Sequence, residues 1–329
     1  MSDEQGATDR YARQSILPAI GAEGQAKIRV AHALIVGAGG LGVPVLQYLA
    51  GAGIGRLTII DPDAVALSNL HRQPLYREDQ IGRPKVKAAA PSLRGLNDDV
   101  ELVAIQGRLS PANAARLVAE ADIVIDCADS FAVSYTLSDI CFKTKIPLVT
   151  GSALGLEGYA AGVCGGAPSL RAVFPDLPAR AQNCATAGVL GPVVGIIGSL
   201  QAQMALAILV ELTPSPLGQM VTVDAASYRF GGFRFDNAPE PAQAGFQFIA
   251  PDQATDADFL VELRGGMEAP APFHAAAMRA EVGDFGADGP APSGKQRAVF
   301  CCRSGLRAWQ AASRLAPHTD CEIVLIAAG

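Results

Sequence analysis

Apolar and polar positions in the first 235 residues fall into two alternating rhythms. Short, largely apolar runs at residues 32–36, 57–60, 100–105, 123–125 and 147–149 have the length and density of buried strands. Between them, residues 41–52, 85–96, 111–120 and 131–145 repeat apolar side chains at helical spacing. Strands separated by helices of this length imply βαβ units, a mostly parallel sheet and an α/β fold. Pro91 inside one helical segment predicts a kink or a break there. Residues 183–210 carry no charge and are long enough to span a bilayer, but Pro192, four glycines, Gln201 and Gln203 interrupt them. With no basic flank or aromatic belt, the stretch reads as a buried core helix.

The pattern changes after residue 235. Residues 239–256 turn to Pro, Ala, Gln, Gly and Asp, as a linker does. Beyond them lies a smaller α/β pattern, with strands at 259–263, 296–302 and 322–326 and a helix at 306–315. Residues 268–295 are rich in Ala, Pro and Gly and read as a loop, mobile at 286–295. The expected division is therefore 1–235, a linker at 236–257, and 258–329.

Composition narrows the function classes. With 50% hydrophobic and 18% charged residues over 329 positions, the chain is no disordered polyelectrolyte and can bury a core. A net charge of −6 argues against nucleic acid as a partner, and 6% aromatics against a base-stacking platform. Seven cysteines, an odd number, behind a polar N-terminus without an apolar leader point to a reducing cytoplasm rather than a disulfide framework.

The segment Gly37-Ala38-Gly39-Gly40-Leu41-Gly42 joins a strand to a helix. Its glycines allow a tight turn and close approach to a polyphosphate, with helix N–H groups as donors. Asp61 closes the next strand about 20 residues on, where a carboxylate accepts from ribose hydroxyls. Alone, these features describe an adenosine nucleotide site and do not separate ATP from NAD. Further along the chain stand Asp61-Pro62-Asp63, Leu67-Ser68-Asn69-Leu70-His71-Arg72-Gln73, Gly82-Arg83-Pro84-Lys85, and Asp126-Cys127-Ala128-Asp129-Ser130, in that order. Each charged residue taken singly reads as solvated surface, and Asp126 as the end of a strand; the ordered set does not.

In this combination the chain resembles the MoeB/ThiF/HesA family, prokaryotic relatives of ubiquitin-activating enzymes, from about Arg10 to Phe230. The resemblance implies a Rossmann-like, mostly parallel sheet with an antiparallel extension. It further implies ATP- and Mg²⁺-dependent adenylation of the C-terminal glycine of a ubiquitin-like sulfur carrier ending in Gly-Gly, MoaD-like or ThiS-like, in molybdenum cofactor, thiamine or related biosynthesis. Arg72 and Lys85 would neutralise phosphate oxygens, Asn69 and Gln73 would position nucleotide and loop, and Asp129 would hold Mg²⁺. Gly37, Gly39, Gly40, Gly42, Asp61, Asp63, Ser68 and Ser130 complete the expected nucleotide contacts. Arg13, in the pair Arg13-Gln14, would reach a partner subunit's site, which implies a homodimer. A carrier-binding scaffold without turnover and an NAD-dependent oxidoreductase are the competing readings.

Members of that family carry a structural zinc held by two Cys-x-x-Cys pairs; this chain has none, with Ser169 and Ala172 standing at the first pair, so no zinc is expected. Cys184 matches the position of the family's reactive cysteine, and two readings stand: a sulfur-transfer thiol activated at a helix start, or an inert semi-buried one. Residues 258–329 resemble a rhodanese-like sulfurtransferase through Cys302-Arg303-Ser304-Gly305-Leu306-Arg307. A loop of backbone N–H groups closed by Arg307 would hold a persulfide on Cys302, loaded by a persulfide donor. The Asp-Val-Arg opening usual there appears as Val261-Glu262-Leu263-Arg264, so the domain is read either as an active sulfurtransferase or as a docking module. Cys301 should face the opposite side of its strand.

Overall fold

The structure, a computed structural model, describes residues 10–177, 188–242 and 245–329. Strands β1 (His32–Val36), β2 (Arg56–Asp61), β3 (Glu101–Gln106), β4 (Ile123–Asp126), β5 (Pro147–Leu154), β6 (Glu157–Cys164), β7 (Gln219–Asp224) and β8 (Arg229–Arg234) form one sheet. Its order is β3-β2-β1-β4-β5-β6-β7-β8. The strands from β3 to β5 run parallel, while β6, β7 and β8 extend the sheet antiparallel.

Burial on both faces explains the solid apolar runs of β1, β2 and β4, whereas β3, expected to be buried, is an edge strand with exposed and half-buried positions. In β1, Ala33 and Ile35 enter one core while Leu34 and Val36 enter the other. The first core is covered by α1 (Gly21–Val30), α2 (Gly42–Ala52), α3 (Lys85–Leu96) and α6 (Gly191–Leu209). The second is covered by α4 (Pro111–Ala119) and α5 (Phe131–Thr144). Helix α6 is long and apolar enough to cross a membrane by length and composition. Here it packs on α2, β5 and β6, burying Val193, Val194, Ile197 and Ala205.

A second, five-stranded parallel sheet has the order β11-β10-β12-β13-β9. Its strands are β9 (Gln247–Phe248), β10 (Phe259–Glu262), β11 (Met278–Arg279), β12 (Arg297–Cys302) and β13 (Glu322–Ala327), with α7 (Leu306–Leu315) against one face. That face is continuous with α5, because Ala132 and Tyr135 share a core with Phe248, Phe300, Cys302 and Trp309. Helix α5 therefore serves both sheets.

Three further sequence expectations change. Helix α3 runs from Lys85 to Leu96 without the break allowed for at Pro91; Pro91 and Lys87, whose carbonyl loses its helical donor, both stand at exposed positions. The stretch read as linker contributes β9 to the edge of the second sheet. The stretch read as a loop contains β11 and a 3-10 turn, Val282–Asp284, with the buried Phe285 next in the chain.

Candidate functional site

The strand order turns at β1 and β4, and the crevice beyond the carboxyl ends of such strands is where α/β sheets bind ligands. Gly37 follows β1 with φ +100, a left-handed conformation, and a Cβ there would lie 2.7 Å from the Cys127 carbonyl oxygen. A Cβ on Gly40 would meet Val194 of α6 at 2.6 Å, and one on Gly42 would sit 2.0 Å from the Gly37 carbonyl oxygen. The turn is held from below. Asp61 at the end of β2 accepts from the Ala38 N–H at 2.7 Å and the Asp63 N–H at 2.8 Å. The Tyr76 hydroxyl donates to the Ala38 carbonyl at 2.7 Å. Burial raises the Asp61 carboxyl above its ordinary range, with the positive charge of Lys85 pulling the other way. Asp61 thus braces the glycine turn, a role its spacing alone did not reveal; Tyr76 was missed because nothing in its sequence setting marks it.

Lys85 opens α3, is buried, and donates to Asp63 Oδ2 at 2.9 Å. Ser68, Asn69 and Arg72 lie on the 3-10 turn Leu67–Arg72, whose His71 carbonyl lies 2.5 Å from where a Cβ on Gly191, at the start of α6, would stand. Arg72 donates to the Ser68 carbonyl at 3.1 Å, and its stem lies 3.7 Å from the Cβ position of Gly40. Gln73 is buried beside Gly39, and its Oε1 has no hydrogen-bond partner. Asp129 is exposed and Ser130 half-buried between the end of β4 and the start of α5. Behind them Asp126 is buried, accepting from Ala128 N–H and Thr150 Oγ1, each at 3.1 Å. Burial pushes its carboxyl up to about 6. The glycine turn, Asp61, the Leu67–Arg72 turn and Asp129-Ser130 thus converge on one crevice.

A nucleotide fits this donor and acceptor set. Gly37, Gly40 and Gly42 leave no room for side chains, Arg72 and Lys85 bring positive charge, and the orphaned Gln73 oxygen is a buried acceptor open to a hydroxyl or amino group. Asp129 offers the hard oxygen ligand that Mg²⁺ favours. Arg13 is not in the crevice. Gln14 beside it donates to the Ala52 carbonyl at 3.2 Å, at the C-terminal end of α2. The glycine turn is at the other end of that helix, about 16 Å away at 1.5 Å per residue. Cys184 lies outside the described residues.

In the second sheet, Cys302 ends β12 with its Sγ accepting from the N–H groups of Gly305 at 3.1 Å and Ala308 at 3.4 Å. Gly305 has φ +89, which lets the loop turn its amide inward. The Arg307 guanidinium donates to both Glu268 oxygens, at 2.5 and 2.8 Å, and to the Leu263 carbonyl at 3.0 Å. It thus anchors the loop to the rim while also lying within reach of the Cys302 sulfur, whose charge adds to that of Glu268 in holding the guanidinium protonated. Glu268 had no motif to announce it, and Leu263, inside the segment matched to the usual opening, contributes only its backbone carbonyl. Cys301 lies in the core on the opposite face, where burial pushes its thiol up to about 12. At the position of the family's first zinc pair, Ser169 Oγ donates to Glu240 at 2.6 Å and accepts from the Arg171 N–H at 3.1 Å. Among the described residues no group of three or more His, Cys, Asp or Glu side chains is placed to hold a metal.

Relatives place this arrangement. A SAMP-activating enzyme E1 from Haloferax volcanii is 36% identical over 254 residues, covering 77% of this chain and 93% of that protein. The adenylyltransferase and sulfurtransferase MOCS3 of Sus scrofa is 47% identical over 219 residues, covering 66% of this chain and 48% of its own. The adenylyltransferase and sulfurtransferase uba4 of Pyricularia oryzae is 39% identical over 256 residues, covering 73% and 51%. The chain thus spans about half the length of these last two relatives. The crystal structure of E. coli MccB with ATP shares the fold, with a TM-score of 0.63 at 21% identity over 72% of this chain and 75% of that one. The ThiF family model matches residues 11–244, and the chain belongs to the ThiF family.

Proposed function

We propose that this chain is an ATP-dependent adenylyltransferase for the C-terminal glycine of a ubiquitin-like sulfur carrier ending in Gly-Gly. The observation that carries the reading is the crevice itself: a glycine turn with no space for a Cβ at Gly37, Gly40 or Gly42, an orphaned buried acceptor at Gln73, and Arg72, Lys85 and Asp129 around it. A carboxylate is already nucleophilic at neutral pH, so the barrier lies in joining two anions. The carrier carboxylate forms a bond to the α-phosphorus, the bond to the β-phosphate oxygen breaks, and pyrophosphate leaves with that electron pair. Arg72 and Lys85 offset the phosphate charge, which for Lys85 means exchanging Asp63 for a phosphate oxygen. Bound Mg²⁺ would neutralise phosphate charge beside Asp129.

Arg13 is assigned to the partner's site in a homodimer, a reading supported by its place at the far end of α2. The Cys302 loop is assigned to sulfur transfer. The Cys302 thiolate attacks the outer sulfur of a persulfide donor, the donor S–S bond breaks, and the donor thiolate leaves. The inward N–H groups of Gly305 and Ala308 support that assignment. No zinc is assigned, because Ser169 and Ala172 stand where the first pair of thiolates would be, and the Ser169 hydroxyl is already bonded to Glu240. A reducing cytoplasm suits a chain whose six described cysteines are all free thiols. Molybdenum cofactor, thiamine and related sulfur routes are the candidate settings. The test is ATP–pyrophosphate exchange with purified Gly-Gly carriers: exchange should need a carrier and fall at least about 100-fold in Asp129→Ala, as loss of an electrostatic group predicts. Normal exchange in that variant would remove Asp129 from the site, and tight carrier binding without exchange would support the scaffold instead.

A further inference from the structure

The Cys302 loop exposes Arg303 and Ser304 but buries its two ends, Cys302 and Gly305. Cys302 itself is fully buried. A Cβ on Gly305 would lie 2.6 Å from the Phe248 ring and 3.7 Å from Ala132 Cβ, so the loop rests against β9 and the first turns of α5. The Gly305 end of the loop thus backs onto a helix of the other sheet, two residues beyond Ser130.

One side chain ties these parts together. Arg171, 7% exposed, donates from Nε and Nη2 to Asp139 of α5 at 2.6 and 2.9 Å. Nη2 also donates to the Phe246 carbonyl, just ahead of β9, at 3.0 Å. Its guanidinium stacks 4.8 Å from the Tyr135 ring centroid on α5 and 5.9 Å from that of Trp309 on α7. Yet Nη1 is buried without any partner. An ion pair buried with one donor unsatisfied adds little net stability, because opening rehydrates both charges and the orphaned N–H. The geometry is that of a reversible clasp.

We propose that Arg171 latches the second sheet onto α5 in a closed state that seals Cys302, and that a sulfur donor reaches the thiol only when this latch opens. The sealing is a property of the docked sheets; its use in sulfur loading rests on the proposed sulfur-transfer role. Thiol alkylation reads the latch without requiring any sulfurtransferase turnover. The full chain is treated with iodoacetamide under native conditions, and the Cys302 peptide is followed by mass spectrometry. Arg171→Ala should raise the Cys302 rate at least tenfold over wild type, while the Cys321 rate changes less than twofold. Arg171→Lys, which keeps charge but loses the fork, should give an intermediate increase and decides the matter if the alanine variant does not fold. An unchanged Cys302 rate in a folded variant would overturn the latch. Loss of thiosulfate sulfurtransfer in Cys302→Ser is scored separately. Normal sulfurtransfer there would sink the sulfur role and leave the latch standing.

Discussion

Asp61 and Asp126 end parallel strands on either side of the crevice, and both are buried, yet they do different work. Asp61 spends its oxygens on the backbone of the glycine turn and its approach, so it shapes the site before any ligand arrives. Asp126 holds the Ala128 amide and Thr150 behind Asp129. With its carboxyl at about 6 against an ordinary 3.8, folded Asp126 binds its proton more tightly than the unfolded chain does. That favours the fold at low pH and is lost as pH rises through about 6, a swing of about 3 kcal/mol at 1.36 kcal/mol per unit. Wild type should therefore lose more stability between pH 4 and pH 7 than Asp126→Asn, measured by urea denaturation. Equal losses in the two proteins would contradict the burial argument. Sequence reading, by spacing for Asp61 and by resemblance for Arg72, Gln73, Lys85 and Asp129, names residues whose segments the fold brings to one crevice. It could not show Tyr76 or Glu268, whose roles come only from where tertiary packing brings their polar ends.

At the scale of elements, local pattern is a good guide wherever one chain segment decides its own structure. The strands β1, β2 and β4 are buried on both faces and so read as continuous apolar runs. The two-residue strands β9 and β11 were hidden because each exists only by pairing with a distant partner, β13 and β10. Pro91 does not break its helix, and it stands with Lys87, whose carbonyl it deprives of a donor, at exposed positions. The start of α2 offers a sharp test. Gly42→Ala drives a Cβ to 2.0 Å from a backbone oxygen and should cost at least about 2 kcal/mol, within the range of severe single substitutions. Gly51→Ala, on the same helix but facing open space, should gain about 0.5–1 kcal/mol. Denaturation midpoints moving together in both variants would refute the steric reading of the turn.

The described residues build two sheets that share helix α5. Helix α5 gives Leu137 and Cys141 to the core of the large sheet and Ala132 and Tyr135 to that of the small one. Its first turn comes directly after Asp129-Ser130, so the nucleotide crevice and the sulfur loop meet at the same helix end. No periodicity in the sequence could announce that shared helix, because each of its faces looks like an ordinary core face until both partners are seen. If the crevice completes its ATP chemistry on the carrier itself, the carrier must leave with a changed mass. Intact mass spectrometry of a Gly-Gly carrier incubated with this chain, ATP and Mg²⁺ tests that most directly. The carrier should gain one adenylyl group, and lose that gain when its last glycine is removed. A carrier that binds but stays at its original mass would contradict the adenylyltransferase assignment.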